Sequence, residues 1–250
     1  MELLEWDARS YDALPLPHRH WGADLLAGLR LTGDETVLDI GCGTGRDTER
    51  LLAALPRGRV VAVDGSRQML DRLRSRLGGA GDRLTVLRAD LRAPLRPPVP
   101  ADVAFSVATL HWLPEHDTLF RSLAAALRPG GRFVAEAGGR GNVAGVLRAV
   151  AEVTGAAVED GARFWNFADV DDTARRLRAA GFADARVELV PDPARLDRGE
   201  QLEAFLGTVI LGAHLRELPA QRRRPFVRAV AERMPEPVVD YVRLRIDARR

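Results

Sequence analysis

Lysine is absent from all 250 residues, so each of the 37 basic side chains is arginine. That excludes Schiff-base chemistry and a lysine nucleophile. Cysteine occurs once, at Cys42, which excludes an internal disulfide and a cysteine-rich metal site, and makes a cytoplasmic location the default expectation. No apolar run approaches the roughly 18 residues of a membrane span, and no membrane partner is expected. The opening Met1-Glu2-Leu3-Leu4-Glu5-Trp6-Asp7 is acidic and lacks the basic and apolar regions of a signal peptide. His18 and His20 have no Cys, Asp or Glu partner at metal-ligand spacing, so no metal is expected.

What is present is ordinary for a soluble globular enzyme: 46% hydrophobic and 29% charged residues, in a length that suits one large α/β domain or a domain with a lid. The pI is near 9.3, yet the formal net charge is only +2 and the arginines are scattered. Abundant alanine, glycine and proline beside them suggest GC-rich coding rather than a phosphate-binding face. The densest run, Arg222-Arg223-Arg224, precedes Pro225 and reads as a solvated helix start, so no nucleic-acid partner is expected.

The most informative stretch is Val37-Leu38-Asp39-Ile40-Gly41-Cys42-Gly43-Thr44-Gly45. An apolar run with one acid fits a buried parallel strand. Glycine at alternate positions then turns the chain and bares its backbone to a ligand. Arg46 to Leu55 reads as a helix with Leu51, Leu52 and Leu55 on one side. A strand, a glycine turn and a helix start make a nucleotide-type site. The spacing is not Gly-x-Gly-x-x-Gly, and no phosphate-loop lysine follows.

The pattern resembles the first motif of class I S-adenosylmethionine (SAM)-dependent methyltransferases. Their cofactor carries no phosphate, which suits a loop without a phosphate cradle. In this light Asp39, Gly41, Cys42, Gly43 and Gly45 are candidate cofactor residues. A second strand, Val60 to Val63, ends in Asp64-Gly65. Asp64 lies where an acid can reach both hydroxyls of a ribose, which is what the resemblance implies for it. Ser66 offers an N-cap to a helix over Arg67 to Leu77 that buries Met69, Leu70, Leu73 and Leu77. The resemblance places Met69 against adenine. A third strand, Leu84 to Arg88, ends at Ala89-Asp90-Leu91, which resembles the motif whose acid accepts from the adenine amino group. Tyr11 is the candidate to close over the methionine end, or it only staples the N-terminal segment.

The proline-rich span 93–100 can be neither helix nor central strand. Ala101 to Ser106 is the fourth strand, and Ser106 joins the cofactor candidates. After it, Leu110-His111-Trp112-Leu113-Pro114-Glu115-His116 resembles the trans-aconitate methyltransferase-like branch. The Pro-Pro motif of nucleobase and amide methylases is missing. His111 is the candidate base or substrate orienter, with Trp112 facing the cleft or packing in the core. Arg128-Pro129-Gly130-Gly131 ends a helix over Leu119 to Leu127 and leads into a fifth strand, Arg132 to Ala137. Gly138-Gly139-Arg140-Gly141-Asn142 again resembles that branch, with Arg140 a candidate partner for an anionic substrate or a solvated turn residue. Helices are expected over 143–153 and 171–180, a strand over 187–190, and amphipathic helices over 201–211 and 225–234. The cluster Phe164-Trp165-Asn166-Phe167 either lines the substrate pocket, with Trp165 a further candidate residue, or anchors the loop in the core. The alternation from Val238 to Ile246 is that of a strand.

The expected fold is α/β: a Rossmann-like, seven-stranded, mostly parallel sheet whose last strand is antiparallel, with helical additions. The expected organisation is an N-terminal helical cap over 1–30, a cofactor-binding core over 31–190, a helical lid over 191–237 and a final strand over 238–246. The expected activity is methyl transfer from SAM, giving S-adenosylhomocysteine (SAH), to a carboxylate or hydroxyl oxygen of a small molecule. A SAM-fold enzyme that methylates carbon or nitrogen, one that cyclises or isomerises without methylating, and a macromolecule methyltransferase remain as alternatives. The sequence leaves the oligomeric state open.

Overall fold

The computed structural model describes Glu5, Ala8, Asp12 and residues 19–250. Tyr11 lies outside the described residues. A first helix, α1 (Arg19–Ala27), precedes the sheet. Then come β1 (Thr36–Ile40), α2 (Arg46–Ala54), β2 (Arg59–Asp64), α3 (Arg67–Leu77), β3 (Leu84–Arg88) and β4 (Ala101–Val107). A single turn of tight helix, Leu110–Trp112, leads to α4 (Asp117–Ala126) and β5 (Leu127–Gly138). The chain continues through α5 (Ala144–Thr154), α6 (Val158–Ala162), α7 (Val170–Ala180), β6 (Asp184–Pro191) and β7 (Ala194–Arg195). It closes with α8 (Glu200–Phe205), α9 (Gly212–Arg216), α10 (Ala220–Arg233), β8 (Val238–Val239) and β9 (Val242–Arg249).

Seven strands form one sheet in the order β3-β2-β1-β4-β5-β9-β6. The first five pair in parallel, and β9 runs antiparallel to both of its neighbours. The expected seven-stranded, mostly parallel sheet with an antiparallel final strand is therefore what forms. The strand order reverses between β1 and β4, and ligands of open α/β sheets bind at the carboxyl ends beside such a switch point.

Alternation along β1 explains why both faces are covered. Leu38 and Ile40 pack with Phe120, Phe133 and Phe182 on one face, while Val37 packs with Leu51, Leu55 and Leu73 on the other. A third core lies beyond the strand ends. There Trp21, Val146, Leu202, Leu211, Val230 and Tyr241 join α1, α5, α8 and α10.

Several boundaries differ from expectation. The expected helix over 201–211 is interrupted: α8 stops at Phe205 and a wider π-helical turn, Leu206–Ile210, follows. Helix α10 starts at Ala220 and runs through Pro225, with Arg222, Arg223 and Arg224 exposed near its start. The expected final strand over 238–246 is divided. Val238–Val239 pairs with β7 in a separate ribbon, and the sheet strand begins at Val242 and reaches Arg249. The Pro-Gly-Gly corner lies inside β5, where the pairing jumps from Ala101↔Leu127 to Val103↔Arg132.

Candidate functional site

The glycine loop leaves β1 at the switch point, and each glycine has its own reason to lack a side chain. A Cβ on Gly41 would lie 2.0 Å from Thr109 Oγ1, and one on Gly45 would lie 2.8 Å from Leu73 Cγ. Both also adopt positive φ, 73° and 83°, where L side chains are strained. Gly43 has φ 53°, but a Cβ there would meet nothing within 4 Å. Its bare backbone faces open space, so a ligand can approach it closely.

Asp64 stands beside this opening at the end of β2. The Gly43 N–H donates to its Oδ2 at 2.9 Å and the Ser66 N–H to its Oδ1 at 2.8 Å. Both oxygens are oriented by backbone, and each keeps a further lone pair. Burial pushes the carboxyl above its usual range, against the lowering effect of those two donors. The Gly65 carbonyl accepts from Arg88 Nε at 3.0 Å, and the Ala89 N–H donates to the Asp64 carbonyl at 3.1 Å. The ends of β2 and β3 are thus tied together below the loop.

Asp39 is placed differently. It points from β1 toward α2, is 2% exposed and accepts from Thr48 Oγ1 at 2.5 Å. Burial pushes its carboxyl up to about 7, although the Thr48 bond acts the other way. Asp39 thus lies behind the loop as a tie between strand and helix, rather than on the cleft as the resemblance implies. Ser106 is likewise buried, with its hydroxyl donated to the Ile40 carbonyl at 2.9 Å. Met69 and Leu91 are buried apolar residues, 4% and 7% exposed. Cys42 is buried, and burial together with Asp39 and Asp64 pushes its thiol up, so it is no nucleophile. Asp90 is half-buried and gripped by Arg92, whose Nε and outer nitrogen lie 2.8 and 2.7 Å from the two carboxylate oxygens. Arg92 holds Asp90 below the usual carboxylate range.

Two acids from the N-terminal segment lie over this half of the site. Glu5 accepts from Ser66 Oγ at 2.8 Å and from the Arg67 N–H at 3.0 Å, at the start of α3. Asp12 accepts from Thr44 Oγ1 at 2.8 Å within the glycine loop, and also pairs with Arg46, Arg72 and Arg76.

Across the switch point the loops after β4 and β5 build a second cavity. Thr109 joins the two halves, since its hydroxyl lies 3.4 Å from the Gly41 carbonyl. The cavity is narrow, with a volume of about 70 Å³. Among the described residues, its rings come from Trp21, His111, Trp112, Trp165, Phe167 and Tyr241, and further wall from Ala108, Gly138, Asn142, Val143 and the turn Thr208 to Ile210. The structure therefore brings the expected His111, Trp112 and Trp165 together. Two lining residues, Ala108 at φ 55° and Val143 at φ 51°, adopt left-handed backbone, a conformation concentrated at binding sites because surrounding contacts must enforce it. The carboxylate of Asp240, distant along the chain, helps do so at Val143, since it accepts from the Gly145 N–H at 2.9 Å and caps α5.

His111 is fixed by the end of β5. The Gly138 N–H donates to its Nδ1 at 3.1 Å. In the neutral ring that bond assigns the hydrogen to Nε2, so the ring presents a donor and its one lone pair is occupied. Arg140 is not in the cavity. Its side chain is 71% exposed and ion-pairs with Asp169 at the start of α7. A charge that suits an anionic substrate is taken instead by a carboxylate brought in by α7. Phe167 belongs to the aromatic cluster that the sequence offers as pocket wall, whereas Asn142, Tyr241 and Trp21 are lining residues that the sequence does not mark as such. Asn142 holds the Val242 N–H through Oδ1 at 2.9 Å, a contact between segments far apart in the chain that leaves no local signal.

Three comparisons bear on this architecture. A methyltransferase domain family matches residues 37–131. Trans-aconitate 2-methyltransferase of Azoarcus sp. is 40% identical over 126 residues, which cover 50% of this chain and 48% of that protein. The chain thus spans about half the length of the trans-aconitate methyltransferases it matches. An uncharacterized methyltransferase of Schizosaccharomyces pombe is 32% identical over 213 residues, 80% of each chain. In fold, phosphoethanolamine N-methyltransferase 2 of Haemonchus contortus, solved with phosphomonomethylethanolamine and SAH, superposes with a TM-score of 0.62 at 18% identity, over 92% of this chain and 52% of that one. The glycine loop, the carboxylate at the end of β2, the strand order and the extent of the match agree: the chain belongs to the class I SAM-dependent methyltransferases.

Proposed function

We propose that the chain transfers the methyl group of SAM to an oxygen, carboxylate or hydroxyl, of a small organic molecule held beside His111. The observation that carries this reading is the cavity that brings His111, Trp112 and Trp165 together across the switch point from the glycine loop, with the His111 ring fixed by the Gly138 N–H bond to Nδ1. An imidazole held in this way can orient an acceptor oxygen, and we read His111 as an orienter rather than a base. SAM, when bound, supplies a methyl group already activated on a sulfonium. What the protein must add is alignment and exclusion of water.

The residues that would hold the cofactor fit it. Asp64 has two oriented oxygens for the two ribose hydroxyls, and Gly43 leaves room for close backbone approach. Asp90 is the acid for the adenine amino group, with Ala89, Leu91 and Met69 around the base; Asp90 would accept on the lone pairs that Arg92 leaves. The helical stretch over 191–237 acts as the lid that shapes acceptor choice, since Thr208 to Ile210 already forms one wall.

The test is mass spectrometry of SAH and methylated product over a panel of small acids, alcohols and amines. An oxygen-methylated product is expected. In the same assay His111→Gln, which keeps an N–H donor but no base, should retain turnover within about tenfold of wild type, while His111→Phe should fall by about 100-fold or more. Equal loss in both variants would return His111 to the role of base.

A further inference from the structure

We propose that Asp192 is a positioning residue for the methyl acceptor: it seats the Trp21 indole in the cavity wall, and through that ring it sets acceptor affinity. This rests on the reading of the cavity as the acceptor site.

Trp21 belongs to α1, outside the sheet, yet it is 2% exposed and its ring forms part of the cavity wall. An indole N–H can only donate, and burying it is costly unless an acceptor meets it. Asp192, in the short link between β6 and β7, supplies that acceptor: the Trp21 Nε1–H donates to Asp192 Oδ2 at 2.6 Å. The carboxylate is itself held in place. His20 Nε2 lies 3.2 Å and Arg243 Nε 3.5 Å from the same oxygen. Arg243 is anchored in turn on the buried Glu136, at 2.6 Å. Burial raises the Asp192 carboxyl, but the indole, Arg243 and His20 outweigh that and hold it below its usual range. The acceptor that meets the indole is therefore a charged one, which shortens and strengthens the bond.

Asp192 also fixes a second ring of the wall, by a different group. Its backbone N–H donates to the Tyr241 carbonyl at 2.9 Å, and Tyr241 meets Trp21 edge-on at 5.4 Å. A side-chain substitution separates the two holds: it releases the indole and leaves the backbone bond to Tyr241. With its N–H unmet, the indole gains by turning toward water, and the wall loosens where α1 covers it. The cofactor residues Gly43, Asp64 and Asp90 follow β1, β2 and β3, on the other side of the switch point from β9 and β6. Loss of the Asp192 carboxylate should therefore be felt by the acceptor and not by the cofactor.

The experiment begins without an acceptor, on the SAH-bound protein carrying isotope-labelled tryptophan. The Trp21 indole N–H resonance is assigned by its loss in Trp21→Phe. In Asp192→Ala that N–H should exchange with solvent at least about tenfold faster, while amides of β4 and β5 keep their wild-type rates. Calorimetry should give an unchanged SAH affinity. The acceptor with the highest turnover in the panel of acids, alcohols and amines then supplies the kinetics. Asp192→Ala should raise its KM about tenfold with kcat within about threefold. Trp21→Phe should do the same, and the double variant should lie within about twofold of either single one, because both remove one interaction. Asp192→Asn keeps an oxygen for the indole and should bring KM back to within about threefold of wild type. An unchanged Trp21 exchange rate in Asp192→Ala, additive losses in the double variant, or SAH affinity falling in step with acceptor affinity overturns the inference. A panel with no methylated member overturns the acceptor-site reading on which it rests.

Discussion

Asp39 and Asp64 stand near the ends of adjacent strands, and the fold gives them opposite environments. Asp39 is sealed against Thr48 and pushed up to about 7. In the unfolded chain its value is about 3.9. Between roughly pH 4 and 7 the folded protein therefore holds a proton that the unfolded chain has lost, and stability falls as pH rises through that window. Asp39→Asn keeps an acceptor for Thr48 and removes the ionisable group. Its stability at pH 8 should exceed wild type by on the order of 2 kcal/mol, and its stability should change less between pH 5 and 7. Urea melts at these pH values check both, and an unchanged slope would place the titration elsewhere. Asp64 faces the opening by Gly43. Asp64→Ala should weaken SAH binding by about tenfold to 100-fold, while circular dichroism reports a folded chain. Unchanged affinity in the folded variant would remove the ribose assignment.

At the scale of elements, the parts legible in the sequence are those whose signal is local. Strands β1, β2 and β4 are continuous apolar runs, and Ser66 caps α3 by accepting from the Met69 N–H. What the sequence hides depends on contacts between distant segments. The start of β9 moves to Val242 because Val238 and Val239 pair with β7 instead, and because Asp240 turns aside to cap α5. The sequence leaves Arg140 either a binding residue or a solvated turn arginine, because Asp169, which engages it, is distant along the chain. Tyr241 and Trp21 meet edge-on, 5.4 Å apart, from opposite ends of the chain. Asp12 is a similar case. Burial raises the Asp12 carboxyl, but Arg72, Thr44, Arg46 and Arg76 outweigh that and hold it below its usual range. Because Asp12 joins α2, α3 and the glycine loop, Asp12→Ala should speed SAH release several-fold. High salt should do the same to wild type and little to the variant. Stopped-flow displacement measures both, and identical release rates would separate Asp12 from cofactor release.

Over the whole molecule, one buried acid secures the antiparallel half of the sheet. Glu136 is 1% exposed and binds Arg243 at 2.6 Å and Arg245 at 2.8 Å, both on β9. Glu136→Ala would leave two partly buried guanidinium groups facing each other, and should cost about 3–5 kcal/mol in denaturant unfolding. A loss below about 1 kcal/mol would show that water or Glu188 takes over the pairing. The same variant should disturb the acceptor cavity more than cofactor affinity, because β9 follows directly from Tyr241 and adjoins β5 at Gly138.

The position of β9 also sets which contacts the two halves depend on. Strands β1, β2 and β3 are joined by short βα units, whereas β5 meets β9 in pairs such as Phe133↔Ala248. Closing a loop of that span costs more entropy than closing a βα unit, so the wall of the acceptor cavity at Gly138 and Tyr241 is held by contacts that the pairing of β1, β2 and β3 does not need.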